Sequence, residues 1–303
     1  MFTDILIPLD GSRLAEWVLP AGVFLAKTLH ASVTLVHVIE KNAPKEIHGE
    51  THLRDPEEAS KYLERIAKEV FSEGIKTECH VHETEVENVA RSISDHVGEL
   101  GSDLIIMCTH GRSGMRDFLF GNIAQQVIGM GKTPILLMHP GKNTEEYAFS
   151  CKRLLIPMDG HPEHEQAIEK IKPLAKNCNA GIHLATVVPK KEDLPGKLTA
   201  IRRMLPVSMS RMLDMEVQTA KEYLERMVEN LIKDGITATS EVLRGDPATL
   251  IVESAKQNKT DIIILGTHAR HHMDAFWSES VAPRISNNCE VPLLLVPVSH
   301  AKE

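Results

Sequence analysis

The run Ile5-Leu6-Ile7-Pro8-Leu9-Asp10-Gly11 returns as Leu154-Leu155-Ile156-Pro157-Met158-Asp159-Gly160, and this internal repetition constrains the fold more than any other feature. Tyr62-Leu63-Glu64-Arg65 returns as Tyr223-Leu224-Glu225-Arg226, and Asp103-Leu104-Ile105-Ile106 as Asp261-Ile262-Ile263-Ile264. Thr109-His110 returns as Thr267-His268, and Thr133-Pro134-Ile135-Leu136-Leu137 as Val291-Pro292-Leu293-Leu294-Leu295. Order is kept throughout, and the spacing drifts only where loops differ, chiefly around Leu194 to Met209. A duplicated chain of 303 residues is expected to form two domains of one kind, at 1–140 and 151–300. A polar linker runs from Pro140 to Ser150 between them.

Each copy alternates strand-like and helix-like segments. In the first copy Asp4–Leu9, Ser32–Ile39, Lys76–His82, Asp103–Cys108 and Pro134–His139 are short and rich in Ile, Leu and Val, as buried parallel strands are. Helical patterns lie between them at Leu14–Thr28, Pro56–Glu73, Val86–Leu100 and Asn122–Gly131. The alternation predicts an α/β fold: two tandem doubly wound domains, each a five-stranded parallel sheet with helices on both faces. Ligands of such sheets sit beyond the carboxyl ends of the strands, where strand order reverses.

The residues after the fourth strand fit an anion site. Cys108-Thr109-His110-Gly111 is followed by nine residues, then Gly121-Asn122 and a helix beginning Ile123. Gly111 permits a positive-φ turn and close approach of a ligand to the backbone. Gly121-Asn122 would open a helix whose free N–H groups and partial positive charge meet a phosphate, and Arg112 could add a charge-assisted contact. Asn122 is also a good N-cap. The plainer alternatives stay open: Asp10 as a helix cap near Ser12, the two glycines as ordinary loop residues, and Cys108 as a small strand-end residue.

With Cys108, two residues, Gly111, nine residues, Gly121 and Asn122, the first copy resembles the ATP-binding universal stress proteins. That family carries Gly, two residues, Gly, nine residues, Gly, then Ser or Thr; Cys108 and Asn122 depart from the pattern. The resemblance covers nearly the whole chain, twice. It implies a stress-response protein with a nucleotide site formed by Pro8, Asp10, Val38, Met107, His110, Gly111, Arg112, Gly121, Asn122 and Ile123. It assigns Asp10 to the nucleoside and the Val38 backbone to adenine. The implied ligand is ATP or another adenine nucleotide, with magnesium as an option. The second copy keeps Gly266 and the turn Gly245-Asp246-Pro247-Ala248, but has Ala269 and Glu279 at the other two glycine positions, followed by Ser280. A carboxylate there would repel phosphate, so that copy reads as a degenerate site.

Composition narrows the classes. The net charge of −8 argues against a nucleic-acid partner. No apolar run is long enough to span a bilayer, and Met1 to Asp10 shows no signal-peptide pattern. The five scattered cysteines show neither zinc spacing nor a disulfide framework, which suits a reducing, cytoplasmic setting. No nucleophile elbow, Walker loop or paired-carboxylate signature is present, so an enzyme such as a slow ATPase lacks its expected parts. An interaction module that binds no nucleotide is the main alternative to a ligand sensor. Histidines group at His80 and His82, and at His268, His271 and His272. His80 and His82 share a strand face and could share a metal, but no second ligand pair accompanies them and no metal site is expected. The Met-rich stretch from Met204 to Met215 is either a lid or a locally packed insertion. The apolar last strands of the two copies are expected to bring them together as an intrachain pseudo-dimer, with a homodimer of chains as a further option.

Overall fold

The computed structural model describes residues 1–41, 43, 46–47, 50–71, 74–109, 122–130, 133–140, 148–190, 206–268 and 281–298. They fall into two compact units: Met1–Ser150 together with the strand Leu293–Val298, and Cys151–Gly266 together with the helix Val281–Asn288.

The first unit contains strands β1 (Asp4–Pro8), β2 (Ser32–Glu40), the short hairpin β3 (Glu46–Ile47) and β4 (Glu50–Thr51), β5 (Thr77–Val86), β6 (Leu104–Cys108) and β7 (Ile135–Met138). Its helices are α1 (Arg13–Glu16), α2 (Leu19–Leu29), α3 (Pro56–Val70), α4 (Val89–Leu100) and α5 (Asn122–Met130). The second unit contains β8 (Arg153–Pro157), α6 (Pro162–Cys178), β9 (Gly181–Val188), α7 (Pro206–Lys233), β10 (Ala238–Arg244), α8 (Pro247–Gln257), β11 (Ile262–His268) and α9 (Val281–Asn288). Strand β12 (Leu293–Val298) is counted with the first.

In the first unit the strand order is β12-β7-β6-β1-β2-β5. All pairings are parallel except β12 on β7, which is antiparallel with Leu293 opposite Leu137 and Leu295 opposite Ile135. The second unit runs β10-β9-β8-β11, all parallel. Both sheets are therefore parallel-dominated; the last strands of the two copies, expected to meet, pair in an antiparallel sense that the strand pattern left open. β1 lies at the centre of its sheet, and Ile5, Leu6 and Ile7 are essentially inaccessible to solvent.

Small devices recur in both copies and account for the repeated tetrapeptides. Asp103 accepts the backbone N–H groups of Thr3 at 2.8 Å and Asp4 at 3.1 Å, and Asp261 accepts those of Lys152 at 2.7 Å and Arg153 at 2.8 Å. Each carboxylate thus ties the fourth strand of its copy to the start of the first. The Arg65 guanidinium lies over the Tyr62 ring at 5.5 Å, and Arg226 over Tyr223 at 5.5 Å.

Several boundaries differ from the sequence expectation. The helix expected over Leu14–Thr28 divides into α1 and α2, because Pro20 has no N–H to donate to the preceding turn. The helix expected from Val86 begins at Val89, where the Asn88 side chain accepts the Arg91 N–H at 2.8 Å. β5 extends to Val86 and lies at the edge of its sheet, so its residues are half-buried or exposed rather than apolar on both faces. The two-residue strands of the hairpin β3–β4 are too short to show an alternating pattern in the sequence. The buried Cys151 thiol donates to Cys178, a contact that their spacing conceals. No helix among the described residues is long and apolar enough to cross a membrane.

Candidate functional site

In the first unit the sheet reverses direction of growth at β1, which has β2 on one side and β6 on the other. A cleft opens there, at the carboxyl ends of the strands, as the topology requires. Its empty space is about 690 Å³, open solvent at the mouth included. Pro8 ends β1, and Leu9 and Asp10 follow it; Val36, His37, Val38 and Glu40 come from β2; Met107 and Cys108 end β6. Val89 and Ile93 of α4, Ile123 and Ala124 of α5, Ala15 and His52 complete the wall.

Five of the residues expected in a nucleotide site meet in this cleft: Pro8, Asp10, Val38, Met107 and Ile123. Asn122 begins α5. His110, Gly111, Arg112 and Gly121 lie outside the described residues, as do Ala269, Glu279 and Ser280 of the second copy.

Asp10 is not itself the helix cap. Its Oδ1 accepts the Ser12 N–H at 2.9 Å and the Ser12 hydroxyl at 2.6 Å, and Ser12 Oγ in turn accepts the Ala15 N–H at 3.1 Å as the N-cap of α1. The carboxylate is thereby positioned while a short helix starts beside it. Gly11 stands at φ +90, and a Cβ there would meet Leu53 Cγ at 2.8 Å. Only glycine permits this turn to sit against the segment that delivers His52.

The cleft is apolar with a few polar groups, the usual make-up of a small-molecule site. His37 is buried. Its Nδ1 donates to the Leu9 carbonyl at 2.7 Å, and its Nε2 lies 3.1 Å from the Leu53 carbonyl oxygen. Burial outweighs the two carbonyls and holds the imidazole below the ordinary histidine value, so it is neutral. The His52 ring lies 6.4 Å from His37, and its buried Nδ1 has no hydrogen-bond partner among the described residues. Burial, aided by the Asp10 charge, pushes the Cys108 thiol up to about 12, which leaves it un-ionised and unreactive at neutral pH.

Sequence reasoning missed His37, Glu40, His52, Val89 and Ile93. His37 and Glu40 lie in β2 around the expected Val38 and were within reach of the strand-end rule. His52 follows an unrecognised hairpin and had no periodicity to reveal it.

The equivalent point in the second copy is arranged differently. Asp159 Oδ1 accepts the His161 N–H at 3.1 Å and lies 2.8 Å from His164 Nδ1. Hydrogen bonding to Asp159 raises His164 above the ordinary histidine value, and the histidine contacts hold Asp159 below the carboxylate range. The carboxylate that matches Asp10 is thus already engaged by a histidine of its own chain. Asp246 caps α8 through the Thr249 N–H at 3.0 Å and accepts Arg284 Nη2 at 2.8 Å.

Comparison with known proteins agrees with this architecture. The model of the Universal stress protein family matches residues 1–139 and 150–297. Universal stress protein Sll1654 of Synechocystis is 33% identical over 140 residues, which is 46% of this chain and 86% of that protein. Universal stress protein MJ0531 of Methanocaldococcus jannaschii is 28% identical over 145 residues, 48% of this chain and 81% of its own. A solved universal stress protein from Archaeoglobus fulgidus shares the fold across 97% of this chain and 98% of its own, with TM-score 0.72 and 18% identity.

Proposed function

Because this chain belongs to the universal stress protein family over both of its halves, we propose that its first half binds an adenine nucleotide, ATP or a close relative, in the cleft beyond β1, β2 and β6, and that the protein acts as a ligand-sensing module in a stress response. The observation that carries this reading is the convergence of Pro8, Asp10, Val38, Met107 and Ile123, from four separate stretches of chain, on one cleft. Apolar walls at Val36, Val38, Ile93 and Met107 suit a planar base. Asp10 and Glu40 accept hydrogen bonds, which suits ribose hydroxyls or an exocyclic amine and disfavours phosphate at that end. Phosphates then belong at the amino end of α5, where helix N–H groups and the loop glycines favour an anion. The binding residues we assign are Pro8, Asp10, Val38, Met107, His110, Gly111, Arg112, Gly121, Asn122 and Ile123, with magnesium accompanying the phosphates. The second half is assigned no nucleotide: Asp159 is already held by His164, and Ala269 and Glu279 replace glycines.

A non-binding interaction module is the second reading, favoured by Cys108 and Asn122 at the altered motif positions. Calorimetric titration with ATP and magnesium separates the two. The cleft reading predicts saturable binding that falls at least tenfold in Val89→Trp, a half-buried wall position whose enlargement fills the cleft without disturbing the core. Absence of binding to the unaltered protein would favour the interaction module, and equal binding by the variant would overturn the cleft as the binding place.

A further inference from the structure

The edge strand β5 presents His80 and His82 on one face, and α4, which follows it directly, carries His96 back against them. His96 is 6% exposed. Its ring centroid lies 4.5 Å from that of His80 and 4.9 Å from that of His82. His96 Nε2 is 3.0 Å from His82 Nδ1, and one ring nitrogen from each of the three histidines lies within 4.8 Å of the others.

Glu99, one turn along α4, fixes the chemistry of this group. Its Oε2 lies 2.8 Å from His96 Nδ1. An ionised carboxylate only accepts, so Nδ1 carries the hydrogen and Nε2 turns its lone pair toward His82 and His80. A carboxylate behind one nitrogen of an imidazole, with the other nitrogen facing a shared centre, is the outer arrangement typical of metal-ligating histidines. His80 Nε2 is buried and has no hydrogen-bond partner among the described residues, a state that costs free energy unless something else takes the lone pair.

We propose that His80, His82 and His96 form a site for one divalent transition-metal ion of the zinc type, with Glu99 orienting His96 and a further coordination position left for water or a ligand. Three imidazoles suit zinc, cobalt, nickel or copper rather than magnesium or calcium, which prefer oxygen. With metal–nitrogen bonds of about 2.0–2.1 Å, a tetrahedral centre holds its nitrogens about 3.4 Å apart. The 3.0 Å pair needs a slight opening and the widest pair a modest closing, both within reach of side-chain rotation. Sequence spacing concealed the site because the third ligand comes from the next element, fourteen positions beyond His82. The site is separate from the cleft. In the sheet His82 pairs with Val38 and His80 with Val36, so a bound ion would tie β5 to α4 beside the cleft wall.

The test uses the full chain, stripped of metal with a chelator and then titrated with zinc against a chromophoric competitor. Cobalt provides an optical reading of coordination. The chain holds sixteen histidines, so variants must separate this site from weak surface uptake. One tight zinc per chain is expected, lost by at least a hundredfold in the double variant His82→Asn, His96→Asn. Glu99 is exposed, and Glu99→Gln is expected to fold normally yet weaken zinc by about 10–100-fold. Cobalt should give intense tetrahedral visible bands in the unaltered chain, diminished in Glu99→Gln at equal cobalt. No tight ion in the unaltered chain overturns the site. So does uptake of equal strength in the double variant or, should that variant fail to fold, in Glu99→Gln.

Discussion

Asp10 and Asp159 occupy equivalent positions in the two repeats but hold different partners, a serine in one and a histidine in the other. The residue type was readable from the repetition; its partner was not, because Ser12 and His164 stand at different offsets. A similar limit applied to His139. Burial pushes its imidazole down to about 4, with Nδ1 2.8 Å from Thr109 Oγ1. The unfolded chain takes up a proton below about pH 6.5 that the folded unit refuses until about pH 4. Stability from this group is therefore full above pH 6.5, declines as pH falls through that window, and levels off below it. The loss amounts to at most roughly 3 kcal/mol. Denaturant titrations of the unaltered chain and of His139→Asn at pH 7 and pH 4.5 check this. The variant should lose less stability on acidification; an equal loss in both would assign the acid sensitivity to other groups, such as His37.

At the scale of elements, strands and helices of the first repeat were legible because their apolar runs are short, regular and broken by turn residues. Edge status was not. Thr77–Val86 reads as one more strand, and only its place beside β2 leaves the other side unpaired and its side chains half exposed. The direction in which β12 meets β7 was equally hidden, since an apolar run does not state its direction. That pairing buries Leu293, Leu294 and Leu295 almost completely. Leu294→Ala is expected to cost about 2–5 kcal/mol. It should also speed amide exchange in β7, where Leu136 lies opposite Leu294. Hydrogen exchange read by mass spectrometry checks both; unchanged protection of Ile135–Met138 would argue that β7 does not depend on its antiparallel partner.

Across the whole molecule, duplication followed by divergence is the governing idea. The scaffold devices are kept in both copies: the carboxylates at Asp103 and Asp261, and the stacked pairs Tyr62–Arg65 and Tyr223–Arg226. What differs lies beyond the strand ends: Asp10 holds Ser12 where Asp159 holds His164, and Ala269 and Glu279 stand where the first copy has Gly111 and Gly121. The cleft was half legible in advance, since strand-end residues follow from topology, whereas His52 and the α4 residues depend on how distant segments fold over them. The claim that binding is confined to one half is tested most directly by counting nucleotides per chain, using equilibrium dialysis with labelled ATP. The account predicts one ATP per chain, abolished by Gly121→Glu and unaffected by Asp159→Ala. Two per chain, none, or one that survives Gly121→Glu would contradict it.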